Sequence, residues 1–375
     1  MCRLALIIVL ALPAWSQILL DSETRQGRAV IAEFDKHWDG KPEPVLACST
    51  ERIGPIFTFG SRLWAGYRAL TPAKLFPGKD HRIFTMLKIA PKTGSAQPRY
   101  FWMGLDLPEI PPAAKQMIWM EGGVYVGPGD YEVSFMMGDR LGRLCRKRWS
   151  IHGGGRQRIL QAANTVEPVR LESWKGFENR AGGPAKLTVL LHAAPIVRRR
   201  YVTRLSAYDR TVLLQSLTSL IDKTHFTQIR VVVFDFRGKR VLFRSDDFNA
   251  QAYQQLYRNL LDADYGRISF RTLLEGIGPE QMVERLVRDE LKSKVLPDAL
   301  VFLSPIQFPA GGPPPDRTPG WAEGAPKSYY LTFTPFPGMS EDIIERFVKR
   351  VLRGRALYIL RPEDLAKAIR TVDGK

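Results

Sequence analysis

A change of pattern near residue 152 constrains the fold of this 375-residue chain more than any other feature. From 45 to 151, short runs of β-forming residues are separated by Pro and Gly turns, and residues 131–135 (YEVSF) alternate between apolar and polar side chains. Several short alternating strands without a helical period are typical of an antiparallel β-sandwich. We therefore predict a β-sandwich domain over residues 45–151, preceded by an N-terminal helical segment over 17–44.

The remainder of the chain has a different rhythm. Residues 152–185 are Gly-rich, mixed in charge and without periodicity, which predicts a linker. Strand and helix patterns then alternate, beginning with the almost uninterrupted apolar run 186–191 and the strongest strand pattern of the sequence, IRVVVFDF at 229–236. Apolar runs of this kind are typical of strands that are buried on both faces of a sheet. The sequence therefore predicts a second domain over 186–375.

Two stretches of the sequence resemble known families. Residues 127–133 (GPGDYEV) resemble the last hairpin of many immunoglobulin-like domains. The element order over 186–375 resembles a von Willebrand factor A domain, and ALYIL at 356–360 followed by PEDL at 362–365 is similar to the last strand and helix of that family. The predicted fold class is a two-domain α+β protein, with an Ig-like antiparallel β-sandwich and a C-terminal α/β, Rossmann-like domain of the von Willebrand A type.

The second resemblance implies a divalent-cation site that this sequence does not carry. Family members hold the cation through Asp-x-Ser-x-Ser after the first strand, plus a Thr and an Asp from later loops, because hard cations prefer oxygen ligands. Here residues 192–196 read His-Ala-Ala-Pro-Ile, and Ser304 followed by Pro305 stands where the later Asp is expected. Thr272 is left as the counterpart of the family Thr. We predict no metal and no cofactor.

Polar side chains that follow the predicted strands are candidates for a ligand face, because sheets of this kind bind ligands at the carboxyl edge. The candidates are His192, Asp235, Thr272, Ser304 and Trp321. His192 and Asp235 end successive strands on the same side, so they are expected as neighbours. The alternative is a structural His and an Asp that caps a turn or forms an ion pair with Arg237. Trp321 lies in the Pro-rich segment 305–327, either a partner-binding flap or a surface insertion. No residue is assigned a catalytic role.

The N-terminus is typical of a secretory signal over residues 1–16. A basic start precedes the apolar run 4–13, and Ala14 and Ser16 fit a cleavage site before Gln17. The run is too short to span a bilayer core of ~30 Å, although an uncleaved anchor stays open as an alternative. We expect a secreted or periplasmic protein with no transmembrane segment after cleavage.

The predicted compartment determines what is expected of the three cysteines. Cys2 would leave with the signal, so Cys48 and Cys145 remain near the two ends of the predicted sandwich. Oxidising compartments favour pairing of two such cysteines. We therefore predict one disulfide, with two separate buried thiols as the alternative.

The formal net charge of +17 is spread over both predicted domains, with basic runs at 146–148 and 198–200. Export argues against a nucleic-acid partner, and a protein or envelope component is expected instead. The predicted function is an exported, non-enzymatic protein-binding or envelope-assembly module. A hydrolase-type enzyme is one alternative, which requires His192 and Asp235 to meet in a cleft. An electrostatic binder of an anionic envelope polymer is the other.

Overall fold

The computed structural model describes residues 17–40, 45–60, 62–154, 161–171, 174–176, 185–196, 204–264, 278–292, 296–305, 326–333 and 342–374. The chain divides into two compact units, of which the first contains Met1–Phe57 and Ser61–Val169 and the second contains Thr58–Gly60 and Arg170–Lys375. The predicted signal over 1–16 lies outside the described residues. No helix in the described ranges is long and apolar enough to cross a membrane.

The first unit consists of two antiparallel sheets. Its strands are β1 Ile18–Leu19, β2 Ser49–Phe57, β3 Leu63–Pro72, β4 Arg82–Pro91, β5 Arg99–Asp106, β6 Met117–Val126, β7 Gly129–Asp139, β8 Leu144–Gly153 and β9 Val166–Pro168. One sheet has the order β2-β3-β6-β9 and the other has the order β1-β5-β4-β7-β8. Alternate side chains of both sheets meet in one apolar core, where the rings of Tyr67 and Phe135 lie 5.3 Å apart. The buried hydroxyls of Tyr67 and Thr85 hydrogen-bond across this core at 3.1 Å.

A helix covers the outer face of the five-stranded sheet. Helix α1, Arg25–Asp39, begins where the Thr24 hydroxyl accepts a hydrogen bond from the Gly27 amide. Val30 and Phe34 on its apolar face pack against outward-facing side chains of the sheet in a second, smaller core. The first unit thus has three layers: helix α1, the five-stranded sheet and the four-stranded sheet.

A disulfide joins Cys48 to Cys145 with a Cα–Cα distance of 6.0 Å, which confirms the predicted pair. Cys145 is the second residue of β8, an edge strand of the five-stranded sheet, and Cys48 directly precedes β2, an edge strand of the other sheet. The Arg52 guanidinium lies 5.8 Å from the ring centroid of Trp149, and it links the same two strands a few residues further along. The disulfide and this cation–π contact therefore close the gap between β2 and β8.

The second unit contains one sheet with the strand order β12-β11-β10-β13-β14-β15. Its strands are β10 Lys186–His192, β11 Gln228–Asp235, β12 Arg240–Ser245, β13 Ala299–Ser304, β14 Lys327–Thr332 and β15 Arg355–Tyr358. Neighbouring strands are parallel except β12, which pairs antiparallel with β11. The carboxyl ends of β10, β11, β13, β14 and β15 therefore lie at one edge of the sheet.

Both faces of this sheet are covered by helices. The helices are α2 Ala207–Lys223, α3 Ala250–Asp262, α4 Pro279–Leu291, α5 Ile343–Arg346 and α6 Pro362–Asp373, and a π-helical turn, Phe347–Val351, follows α5. Leu187, Val189 and Leu191 of β10 pack with α2, α3 and α6, whereas Leu190 packs with α4 and α5 on the opposite face. A side chain's position along a strand therefore decides which layer of helices it meets.

The fold class predicted from the sequence is wrong. We expected an α+β protein with a Rossmann-like half, whereas the chain is β-rich: among the described residues, fifteen strands form three sheets and six α-helices accompany them. Nine of those strands but only α1 belong to the described part of the first unit. The prediction relied on element order along half of the chain, whereas the balance of sheet and helix depends on pairing between distant segments.

Candidate functional site

Two of the candidate residues meet inside the second unit, at the carboxyl edge of its sheet. His192 ends β10 and Ser304 ends β13, and because these strands are neighbours the His192 Nδ1 and the Ser304 Oγ lie 2.9 Å apart. Tyr330 and Thr332 of β14 and Asp342, directly before α5, lie beside them, and all five side chains are buried. We call these five residues the buried polar cluster.

The imidazole of His192 is enclosed by aromatic rings. The ring of Phe234 stacks on it at a centroid distance of 5.2 Å, and the ring of Phe236 lies 4.6 Å away. Only 1% of His192 is exposed. Burial disfavours the charged form and lowers the pKa of His192 to about 3, so the imidazole is neutral at physiological pH.

Tyr330 extends the hydrogen-bonded chain from Ser304 to Asp342. Its hydroxyl donates to Asp342 Oδ2 at 3.2 Å and also hydrogen-bonds with Ser304. Burial, together with the negative charge of Asp342, raises the pKa of Tyr330 well above its ordinary value. Asp342 Oδ1 accepts a hydrogen bond from the Ile344 amide at 2.7 Å, so Asp342 is the N-cap of α5. The cluster therefore ties the ends of three strands to the start of a helix.

A serine hydroxyl beside an imidazole has the composition of a nucleophile and its base. A base needs a pKa near the working pH and access to a substrate. His192 has neither, because its pKa is about 3 and its ring is enclosed. The arrangement suits a structural role, in which the His192 imidazole and the Ser304 hydroxyl hydrogen-bond to each other between neighbouring strands.

Asp235, the expected partner of His192, lies on the opposite face of the sheet. His192 is paired with Phe234 in the register of β10 and β11, and Asp235 is one residue further, so the pleat turns it the other way. Its carboxylate accepts hydrogen bonds from the backbone amides of Arg237, at 2.8 Å, and Gly238, at 3.0 Å, in the turn before β12. Burial raises the pKa of Asp235, against the lowering effect of these hydrogen bonds. The turn-capping alternative describes Asp235 correctly.

Several predicted features lie outside the described residues. These are Thr272, Trp321, most of the Pro-rich segment 305–327 and the basic run 198–200. Across the described ranges, no group of three or more His, Cys, Asp or Glu side chains is arranged to hold a metal ion.

The side chains of the basic run at 146–148 mainly contact other residues of the first unit. The Arg146 guanidinium donates to the carbonyl oxygens of His37, at 3.0 Å, and of Trp38 in the last turn of α1. The Arg148 guanidinium lies 5.3 Å from the Trp38 ring centroid. Lys147, between them, is exposed. Two of the three charges therefore hold α1 on the sheet.

Other cations of this unit also stack on aromatic rings. The pairs are Arg52 on Trp149, Arg62 on Tyr125, Arg68 on Trp119, Arg82 on Trp102, Lys88 on Tyr100 and Arg143 on Phe76. Arg68 also forms ion pairs with Glu51 and Glu121. The positive charge that suggested a polyanion partner is thus partly engaged in packing.

A pocket of about 140 Å³ lies in the first unit between β1, the start of α1 and Trp102. Its lining is mainly apolar and includes Leu20 and Val30. Pockets for drug-sized ligands are on the order of 300 Å³ or more. This pocket is too small for such a ligand.

Comparison with known proteins adds no identification. No protein-family model and no curated protein matches the chain. A solved structure titled "X-ray structure of Northeast Structural Genomics Consortium target SoR45" matches with 14% sequence identity and a TM-score of 0.19, covering 32% of this chain and 94% of that one. A TM-score this low supports no argument about fold or function. The resemblance to von Willebrand A domains stays a prediction.

Sequence reasoning missed the pairing of His192 with Ser304 and the contributions of Tyr330 and Asp342. His192 and Ser304 each end an apolar run, which is a signal in the sequence. That signal becomes a contact only because β13 lies beside β10, on the side opposite β11. Strand order of this kind cannot be read from a single sequence.

Proposed function

We propose that this protein is an exported, non-enzymatic module that binds a protein or another component of the cell envelope. The observation that carries the proposal is the burial of His192, Ser304 and Asp235, at most 1% exposed, each hydrogen-bonded within the fold. The described side chains with catalytic potential at the sheet edge thus have structural roles. Binding of a partner through the protein surface is the function that fits this structure best.

Export is supported by the disulfide between Cys48 and Cys145. Structural disulfides are stable in oxidising compartments and rare in reducing ones. A secreted or periplasmic location therefore suits the bridge, and it agrees with the signal predicted over residues 1–16.

The two alternatives receive less support. A hydrolase at the sheet edge requires His192 and Asp235 to meet, but the two side chains face opposite sides of the sheet. An electrostatic binder of an anionic polymer requires a cluster of available cations, but in the basic run 146–148 the side chains of Arg146 and Arg148 contact α1.

The proposal is tested by site-specific photo-crosslinking of the full chain in its native host. A photoreactive residue is placed at Met117 in the first unit, and at Val241 or Tyr358 in the second, where 45%, 44% and 44% of the side chain are exposed. We expect at least one position to give a discrete covalent adduct with a partner. A matched residue at the buried Phe302 controls for nonspecific capture. Absence of an adduct at every exposed position would contradict a binding role.

The enzymatic alternative is tested separately. Purified protein and the His192→Gln variant are assayed for hydrolysis of activated esters and amides. We expect no turnover by either protein. Turnover that His192→Gln abolishes, in a variant that remains folded, would replace the binding proposal with the hydrolase.

A further inference from the structure

The edge strands of the first unit are protected against pairing with another chain. Strand β1 has two residues and β9 has three, the last of which is Pro168. Strand β2 contains Pro55 at an irregularity in its register. Strand β8 carries Lys147 on the same strand face as the core residues Cys145 and Trp149, opposite Phe135, and this charged side chain is exposed at the edge of the sheet. Short strands, prolines, bulges and inward charges are the devices that block edge-to-edge association.

The second unit protects one edge of its sheet in the same way. Strand β12 has a bulge opposite Val233 and Phe234, which leaves Leu242 outside the regular register. The carbonyl of Leu242 accepts a hydrogen bond from the Asn259 side chain of α3 at 3.1 Å. An added strand could not pair regularly with β12, because the bulge and this bond disturb its outer row of backbone groups.

Strand β15, at the other edge, has a regular register and no proline, bulge or inward charge. Its register pairs Arg355 with Tyr329, and the Ile359 amide donates a hydrogen bond to the Thr332 carbonyl at 2.8 Å. The backbone N–H and C=O groups of residues 355, 357 and 359 therefore face β14. The N–H and C=O groups of Ala356 and Tyr358 therefore point outward. Within the described ranges, no residue hydrogen-bonds to these outward groups.

The exposed side chains of β15 and its flanks are mainly apolar and basic, and the Tyr358 hydroxyl donates a hydrogen bond to Glu345 of α5. Tyr358 is 44% exposed and Leu360 is 69% exposed, although an edge strand without a partner normally has polar side chains. Arg353 and Arg355 at the start of the strand and Arg361 after its end are exposed. Leu360 donates its amide to Asp364 Oδ2 at 3.2 Å, which marks the end of the open edge.

We infer that β15 binds an extended, acidic segment of a partner protein as an additional strand of the sheet. The backbone of the partner would pair with Ala356 and Tyr358, its apolar side chains would cover Tyr358 and Leu360, and its carboxylates would contact the arginines at the two ends. The inference rests on the proposed binding function, for which it names a surface and a partner chemistry. A second copy of this chain is a poorer match, because two such edges would bring like charges together.

The probe for this inference is a fluorescein-labelled peptide of alternating Glu and Val, titrated into the full chain. Fluorescence anisotropy measures binding, and amide hydrogen exchange by NMR reports on the Ala356 and Tyr358 amides. We expect saturable binding that slows exchange of these two amides. The Arg355→Glu variant should weaken binding about tenfold, because it reverses a charge at the edge. A matched control, Arg237→Glu, reverses an exposed charge at the protected edge and should leave binding unchanged.

Two peptide variants separate strand addition from simple charge attraction. A Lys–Val peptide should not bind, and a Glu–Val peptide with N-methylated valines should bind at least about tenfold more weakly, since it lacks one row of N–H donors. Equal binding of the methylated peptide, or no binding of the Glu–Val peptide, would overturn the inference. A dimer seen by sedimentation that Tyr358→Lys abolishes would overturn it in favour of a second copy.

The crosslinking experiment distinguishes the two levels of failure. Val241 and Tyr358 have the same 44% exposure but lie at the protected and the open edge. An adduct at Tyr358 and none at Val241 supports the inference. Adducts at Met117 or Val241 but none at Tyr358 would overturn the inference and leave the binding function standing. No adduct at any exposed position would overturn both.

Discussion

The two units stabilise their sheets by different means. In the first unit, a disulfide and an Arg–Trp contact close the gap between edge strands, and further cations lie over aromatic rings. In the second unit, helices cover both faces of one sheet, and buried polar side chains join the ends of its strands. The difference teaches that the first unit supplements its apolar core with a covalent link and surface cation–π contacts, whereas the second joins the ends of its strands through buried polar side chains.

The largest expected effect is loss of the disulfide. Replacing Cys48 and Cys145 with Ser should lower the free energy of unfolding of the first unit by about 3–5 kcal/mol, because the bridge closes a loop with a sequence separation of 97. The second unit should be unaffected. Hydrogen exchange in urea, read separately from peptides of each unit, measures both values, and reduction of the unmodified protein is the control. Equal losses in both units would show that the contrast is wrong.

Acid should act on the second unit through His192. Its pKa is about 3 in the folded protein, against an ordinary value of about 6.5, so between these values the unfolded chain binds a proton that the native state does not. Stability is therefore complete above about pH 6.5 and falls as the pH drops toward 3, with a loss of about 2 kcal/mol at pH 5.

The His192→Gln variant isolates this effect, because glutamine can hydrogen-bond to Ser304 and does not titrate. Unfolding of the second unit at pH 7.5 and pH 5 should show the acid loss in the native protein and not in the variant. Other buried groups, such as Asp235, are present in both proteins and cancel. The same acid sensitivity in the two proteins would refute a role for His192.

A smaller effect concerns the basic run on β8. Arg146→Ala should destabilise the first unit by about 1–2 kcal/mol, because the guanidinium binds two carbonyls at the end of α1. Lys147→Ala, one residue away, is the matched control and should have almost no effect. Thermal unfolding followed by circular dichroism measures the difference, and similar values for both variants would show that the run is not structural.

The smallest effect is expected at the gap that the disulfide closes. Arg52→Gln should cost about 0.5–1 kcal/mol through loss of the contact with Trp149. A double-mutant cycle with the cysteine replacements tests whether the two links are coupled. A coupling energy near zero would mean that the disulfide and the Arg52–Trp149 contact stabilise the gap between β2 and β8 independently, which would contradict a joint closure.

The sequence was informative where local pattern decides the outcome. Strands were expected at 186–191 and 229–236 and are found at Lys186–His192 and Gln228–Asp235, and the cysteine pairing is also found. The positions of these elements follow from apolar runs and their flanking turns, which are properties of neighbouring residues.

The sequence failed where the outcome depends on distant segments. The fold class was wrong because the share of the chain in sheets is set by pairing between segments far apart. His192 was expected beside Asp235 because their strands are consecutive, but the pleat of β11 turns Asp235 away and the strand order brings Ser304 close. The basic run 146–148 suggested a polyanionic partner, whereas in the structure Arg146 and Arg148 contact the end of α1.

The disulfide has a consequence for proteolysis. Cys48 and Cys145 enclose most of the first unit, from β2 to the start of β8, within one covalent loop. A protease that cuts any surface turn between them, where exposed turns are the usual targets, breaks the chain but cannot release either fragment. The nicked protein would migrate as one species on a non-reducing gel and as two after reduction. A protein of this design can be cut once within that loop and remain in one covalently linked piece.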